Sequence, residues 1–206
     1  MKLAALSTTL LATLSLVSWS AHAADATAGK TKAAVCGACH GPDGNSANPI
    51  WPKLAGQNAA YIEKQVIAIR ARDGRSNPQA ETMRPLVANL SASDLADIAA
   101  FYAAQTSSAE AAPADSVKVG QALYRGGDAE AGIPACMSCH GPAGEGLASA
   151  GYPRVGGQHA QYTAGQLKAF REGSRSTDAN QMMRVVAAKL SDAQIQALAG
   201  YLSGLH

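Results

Sequence analysis

Apolar residues recur at helical spacing along much of the chain. In the segment 59–72 they lie at Ile62, Val66 and Ile69, and a similar pattern covers 163–171. Separations of four and three residues place such side chains on one face of an amphipathic helix. No segment alternates apolar and polar residues as a half-buried strand does. The pattern therefore predicts an all-α fold.

Four more helices are predicted from the surrounding sequence. Ser91 with Asp94, and Ser191 with Gln194, have the spacing of an N-terminal capping box, in which each side chain binds the other residue's backbone N–H. Short helices are also expected just before two cysteine-containing segments. The four predicted helices are 26–35, 92–104, 117–124 and 192–202.

The sequence after residue 23 contains two copies of one pattern, separated by 99 to 101 residues. Self-similarity of this kind indicates a duplicated structural unit. We predict two domains, 24–105 and 116–206, joined by a linker of small and polar residues at 106–115. The matched segments are 36–42 with 136–142, 52–57 with 153–158, 83–84 with 183–184 and 90–91 with 190–191.

The first 23 residues have the features of a secretory signal peptide. Lys2 precedes an uncharged stretch, 3–17, and Ala21-His22-Ala23 has the small residues of a cleavage site. The apolar stretch is shorter than the roughly 20 residues of a membrane-spanning helix. We therefore expect export, which in a bacterium leads to the periplasm. The alternative is an uncleaved N-terminal anchor.

Composition excludes several classes of protein. Hydrophobic residues make up 47% of the 206 residues and charged residues 16%, unlike a disordered chain or a coiled coil. The net charge of +2 does not indicate nucleic acid or an anionic membrane as the main partner. Two Trp, two Phe and six Tyr leave a core poor in aromatic rings, so another bulky group is needed to fill it.

Each copy contains the sequence C-x-x-C-H, which is the attachment signature of c-type haem. Two thiols at this spacing can each add to one vinyl group of the same porphyrin, and the histidine that follows then lies below the iron. The sequence therefore predicts two covalently bound haem c groups, which would also fill the core. The residues are Cys36, Cys39 and His40 in the first copy and Cys136, Cys139 and His140 in the second.

Three other uses of these cysteines are less consistent with the sequence. A thioredoxin-like dithiol requires a fold with strands and has no use for the adjacent histidine. A zinc site would have to draw its ligands from both copies. Disulfides are common in exported proteins, but they are uncommon between cysteines separated by only two residues.

The sixth iron ligand can be inferred by elimination. In the first domain His40 is the only histidine and Met83 the only methionine, and 43 positions separate them. The same separation of 43 lies between His140 and Met183. We predict that each His–Met pair is axial to one haem, since a thioether ligand raises the reduction potential as an electron carrier requires. The alternative is that the methionines only fill gaps in the core.

Several neighbouring side chains compete for these roles. Met182 is adjacent to Met183, but Met183 is preferred because it lies seven residues before a Leu-Ser pair, as Met83 does. His159 occupies the position of Asn58 in the first copy, so we expect it on the surface. His206, the last residue of the chain, is expected to be solvated.

Two prolines and a set of polar side chains are candidates for supporting the haems. Pro52 follows His40 by 12 residues, and Pro153 follows His140 by 13. Each proline could offer its carbonyl oxygen to the imidazole Nδ1, which would fix the ring and raise its basicity. The candidates for contact with haem propionates are Trp51, Tyr61, Arg75, Tyr162 and Arg175.

Together these features resemble the di-haem cytochrome c4 family. The resemblance rests on the export signal, the two C-x-x-C-H domains, one late methionine in each, and the segments 52–57 and 156–159. It implies two class I cytochrome c folds joined head to head, with the propionate edges of the haems near the domain interface. Residues 24–110 carry a net charge of 0 and residues 111–206 a net charge of +1, whereas the family is often described as having domains of opposite charge.

The resemblance also implies a function. We expect a periplasmic electron-transfer protein, not an enzyme, that passes single electrons from a quinol-linked donor complex towards a terminal oxidase, with possible peripheral membrane association. A di-haem peroxidase is the main alternative, but it would need an iron with an open or displaceable ligand beside an acid–base group. A gas-sensing or haem-delivery module is a third possibility.

Overall fold

The computed structural model describes residues 23–71, 75, 77, 78 and 80–206. All but the last residue of the predicted signal peptide therefore lies outside the described residues. The described part is helical. Within those ranges, strand pairing is limited to two isolated β-bridges. This confirms the predicted all-α class. In the same residues, no helix has the length and apolar character needed to cross a membrane.

The part of the chain before residue 106 forms one helical unit. Its helices surround the first C-x-x-C-H sequence, and a 3₁₀ turn, Ala33–Val35, leads into it. The helices are α1 (Ala26–Lys32), α2 (Gly37–His40), α3 (Ala59–Arg70), α4 (Ala80–Val87) and α5 (Ala92–Ala103).

The second unit repeats this order of helices. Its first helix begins at Ala114, three residues earlier than predicted, and thus inside the predicted linker. Two 3₁₀ turns, Ala148–Ala150 and Ala179–Gln181, are added. The helices are α6 (Ala114–Gly126), α7 (Met137–His140), α8 (Ala160–Arg171), α9 (Met182–Ala187) and α10 (Asp192–Ser203).

In both units the first helix packs across the last one at a glycine. A Cβ atom added to Gly29 of α1 would lie 2.9 Å from Cβ of Phe101 and against the Asp97 carbonyl. A Cβ atom added to Gly120 of α6 would collide in the same way with Tyr201 and the Ala197 carbonyl of α10. Only a residue without a side chain permits this close backbone approach.

Both capping boxes form as predicted, at Ser91 with Asp94 and at Ser191 with Gln194. The predicted long helices are also present, with ends that differ by up to three residues. Two short helices, α4 and α9, were not predicted. They matter for the site because Met83 lies in α4 and Met183 in α9.

Candidate haem-binding sites

A single turn brings the thiols and the imidazole of each C-x-x-C-H sequence together. Cys36 immediately precedes α2, and its carbonyl oxygen accepts the His40 backbone N–H at 2.9 Å. Cys136 has the same relation to His140 at the start of α7, with a distance of 3.0 Å. None of the four cysteines is paired in a disulfide. Each pair is therefore available on one face of a turn for attachment to one ligand.

The two histidines are held in one orientation by backbone oxygens. His40 Nδ1 donates to the Pro52 carbonyl oxygen at 2.9 Å, and His140 Nδ1 donates to that of Pro153 at 2.9 Å. These are the hydrogen bonds that the sequence predicted for the two prolines. Burial lowers the pKa of both imidazoles, which favours the neutral form. A neutral ring protonated at Nδ1 leaves the Nε2 lone pair for a metal.

The methionines differ in exposure. Met83 is half-buried and packs against a cluster of apolar residues that includes Val66 and Leu95. Met183 is also half-buried, whereas the neighbouring Met182 is 43% exposed and directed towards solvent. The exposure of Met182 agrees with the choice of Met183 made from the spacing.

The expectation that His159 lies on the surface is wrong, because its residue exposure is only 6%. Its Nδ1 lies 2.7 Å from a carboxylate oxygen of Glu110, and its Nε2 lies 2.7 Å from the carbonyl oxygen of Ser46. His159 thus joins the second domain to the first domain and to the segment between them.

Lys53 reinforces the same junction from the first domain. Its ammonium group donates to the carbonyl oxygens of Ser108, at 2.9 Å, and Gly157, at 3.1 Å. It also lies 3.4 Å from Glu110, and its side chain is 5% exposed. The Lys53 ammonium group and the His159 ring therefore both contact one carboxylate between the domains. His206, by contrast, is exposed as expected.

Arg175 is a buried cation at the domain interface, and only neutral groups accept its hydrogen bonds within the described residues. Its guanidinium donates to Gln166 at 2.6 Å, and across the interface to Tyr61 at 3.0 Å and Gln65 at 2.9 Å. The residue is 5% exposed, and its Nε has no hydrogen-bond partner among the residues that the structure describes. The nearby Thr177 also has a buried hydroxyl without a partner in the described part of the chain. A buried cation beside two buried donors that lack acceptors fits a carboxylate-bearing ligand.

The other propionate candidates are less distinctive. Burial raises the pKa of Tyr162 to about 12, and Arg175 is a neighbouring charge that opposes this shift. Arg75, the counterpart of Arg175 in the first domain, is exposed. The two domains are therefore not equivalent at this position.

The residues of each domain fit haem c. Each unit has two thiols one turn apart, an imidazole with a defined tautomer and a half-buried thioether, and the second unit adds buried donors for an acidic substituent. A protein-family model described as cytochrome c matches residues 26–104 and, separately, residues 117–206. Fold and site together define a c-type cytochrome with two haem domains.

Comparison with individual proteins identifies the family within this class of cytochromes. Cytochrome c4 of Azotobacter vinelandii is 50% identical over 204 residues, which cover 96% of this chain and 97% of the relative. The crystal structure of reduced recombinant cytochrome c4 from Pseudomonas stutzeri is 48% identical, with a TM-score of 0.84, and the match covers 89% of this chain and 100% of that one. The chain belongs to the cytochrome c4 family.

A further relative is named as the electron acceptor of an enzyme. The thiosulfate dehydrogenase electron acceptor of Stutzerimonas stutzeri is 39% identical, and the match covers 84% of this chain and 80% of the relative. Membership of the cytochrome c4 family gives this chain two covalently bound haem c groups and makes it an electron-transfer cytochrome.

Proposed function

We propose that this chain is a periplasmic carrier that passes single electrons between respiratory donors and a terminal oxidase and makes or breaks no bond of a substrate. The observation behind this proposal is the repeated site. Both domains have an oriented imidazole and a methionine 43 positions later, so neither domain is specialised for binding a substrate at iron. Haem c supplies the ferric–ferrous couple, and the protein supplies ligands, burial and orientation.

The proposed attachment residues are the four cysteines of the two C-x-x-C-H sequences. The proposed axial pairs are His40 with Met83 in the first domain and His140 with Met183 in the second. Three features support the pairs: the Nδ1 bonds that leave Nε2 free, the equal sequence separations, and the half-burial of both methionines. Exposure of Met182 supports Met183 as the ligand in the second domain.

Arg175 and Thr177 are proposed to bind a propionate of the haem in the second domain. The buried guanidinium would neutralise the propionate, and the Arg175 Nε and Thr177 hydroxyl would find an acceptor. Because Tyr61 and Gln65 hold the guanidinium from the first domain, the two haem sites would share this end of the interface.

The proposed partners are respiratory redox proteins: a quinol-linked complex as donor and a terminal oxidase as acceptor. The sequence 1–23 supports export to the periplasm, and any membrane contact would be peripheral. The relative named as the electron acceptor of thiosulfate dehydrogenase supports a role downstream of a donor enzyme. Because the net charge is only +2, partner contact should depend on apolar surface as well as on ion pairs.

Carbon monoxide distinguishes this proposal from the peroxidase alternative. The fully reduced protein should not bind carbon monoxide at neutral pH, because two methionine-bound irons have no open position. Stoichiometric binding at one iron, seen as a change in the haem absorption spectrum, would overturn the carrier proposal and favour a peroxidase or a gas sensor. None of the relatives described above is a peroxidase.

A further inference from the structure

Two glutamines exchange hydrogen bonds across the domain interface. Gln158 of the second domain accepts the Lys53 backbone N–H at 2.9 Å and donates to the Lys53 carbonyl oxygen at 3.0 Å. Gln57 of the first domain does the same to Arg154, with both distances 2.9 Å. Each glutamine side chain thus binds the main chain of one residue in the opposite domain at two points.

The residues bound in this way are next to the prolines that orient the histidines. The Pro52 carbonyl oxygen, which accepts from His40, and the Lys53 N–H, which donates to Gln158, belong to the same peptide group. The peptide between Pro153 and Arg154 has the same position between His140 and Gln57. A single peptide group therefore connects each imidazole to a glutamine of the other domain.

The glutamines are held in place before they meet the other domain. Gln57 Oε1 also accepts the N–H of Asn58 at 2.9 Å, and Gln158 Oε1 accepts that of His159 at 3.0 Å. Both glutamines lie just before a helix, α3 or α8, and Gln57 is buried. The side-chain amides are thus fixed in position at the interface.

We propose that Gln57 and Gln158 are positioning residues that act crosswise, each on the axial histidine of the opposite domain. When Oε1 accepts the peptide N–H, the peptide polarises and its carbonyl oxygen becomes a better acceptor for imidazole Nδ1–H. A stronger Nδ1 bond raises the basicity of the ring as an iron ligand and favours ferric iron. The potential of each haem therefore depends on a side chain of the other domain. This inference rests on the proposed axial ligation by His40 and His140.

The test uses the full-length protein with both haems attached. In Gln158→Met, the Nδ1–H proton resonance of His40 in the reduced protein should move upfield, and the reduction potential of the first-domain haem should rise. The His140 resonance and the second potential should not change. Gln57→Met should give the reverse pattern. Heteronuclear NMR provides the resonances, and an NMR-followed redox titration assigns each potential to its haem.

Two further variants separate polarisation from loss of the interface. Gln158→Glu keeps an acceptor for the Lys53 N–H but loses the donor to the Lys53 carbonyl oxygen, so its His40 resonance should not move upfield as it does in Gln158→Met. Asn58→Leu removes another bond between the domains, from Asn58 Nδ2 to the Tyr152 carbonyl oxygen at 2.8 Å, which does not involve the peptide bonded to His140. It should leave both Nδ1–H resonances and both potentials unchanged.

The proposal requires that each glutamine variant affects only the histidine and the haem of the opposite domain. Equal movement of both Nδ1–H resonances in Gln158→Met, or no movement of either, would overturn the coupling while leaving the proposed ligation intact. A wild-type reduced protein without two iron-bound histidine resonances would overturn the ligation itself, and the coupling with it. The two failures are therefore distinguishable in one set of spectra.

Discussion

The imidazoles of His40 and His140 show how ligand chemistry depends on a single backbone contact. Each ring uses Nδ1 for a carbonyl oxygen 12 or 13 residues further along the chain, and burial keeps the ring neutral. The C-x-x-C-H sequences and the prolines were sufficient to predict this arrangement. The prediction succeeded because the cysteines, the histidine and the proline of each site lie within one short segment that occurs in both domains.

The methionine assignment can be tested one residue at a time. Met83→Ala and Met183→Ala should each remove about half of the far-red band that arises from sulfur bound to ferric iron, since each removes one of two equivalent ligands. Absorption spectra of the oxidised variants measure this band. Met182→Ala is the matched control and should leave it intact. A band unchanged in Met83→Ala or Met183→Ala would reject that residue as a ligand.

Arg175 should influence one haem through the charge of its guanidinium. Arg175→Gln would leave a propionate charge unbalanced near the second haem, which disfavours the additional negative charge of reduction. We expect a lower reduction potential for that haem in a spectroscopic redox titration. Arg75→Gln, at the exposed counterpart, should change the potentials much less. Equal shifts in the two variants would contradict a specific role for Arg175.

At the scale of helices, the crossing of the first and last helix in each domain depends on glycine. Gly120→Ala should destabilise the second domain by about 1–3 kcal/mol, because the new methyl group would overlap Tyr201 and the backbone of α10. Gly165→Ala, in the exposed and open middle of α8, should instead stabilise by about 0.5–1 kcal/mol. Thermal unfolding followed by circular dichroism measures both effects. A neutral Gly120→Ala variant would show that the helices are not closely packed there.

An ion pair between α1 and α5 makes the first domain sensitive to acid. Lys32 lies 2.7 Å from Asp94 and 2.6 Å from Asp97, and its hydrogen bond lowers the pKa of Asp94 from 3.8 to about 2. The stabilisation is complete above the unfolded value of 3.8 and is lost as the pH falls towards 2. Lys32→Met should therefore reduce the pH dependence of unfolding over this range, while Lys30→Met on the same helix should not. Denaturant unfolding at several pH values provides the comparison.

The helices were predicted unevenly, for reasons that the sequence explains. Regular apolar spacing and capping boxes identified α3, α5, α8 and α10. The short helices α4 and α9 lack both signals, and α4 contains Pro85, which normally argues against a helix interior. Their positions depend on packing beside the site, with Met83 against the first-domain core. The equal sequence separations therefore identified the two methionines, but they did not predict the helices in which these methionines lie.

At the scale of the whole molecule, the repeat predicted two similar domains but not how they meet. The partners of His159 lie 49 and 113 positions away, and Gln57 and Gln158 bind residues 97 and 105 positions away. No local pattern encodes such contacts. The only available signal for the glutamines was their equal place in the matched segments 52–57 and 153–158, which did not distinguish an internal role from one at the interface.

The central claim is that this one chain holds two haems through thioether bonds, one in each domain. Intact mass spectrometry under denaturing conditions, on protein produced where cytochrome maturation operates, tests it directly. The mass should equal that of the polypeptide plus two haems, and replacing Cys36 and Cys39 together with alanine should remove one haem from that mass. A wild-type mass equal to that of the bare polypeptide, or of the polypeptide with a single haem, would contradict the claim.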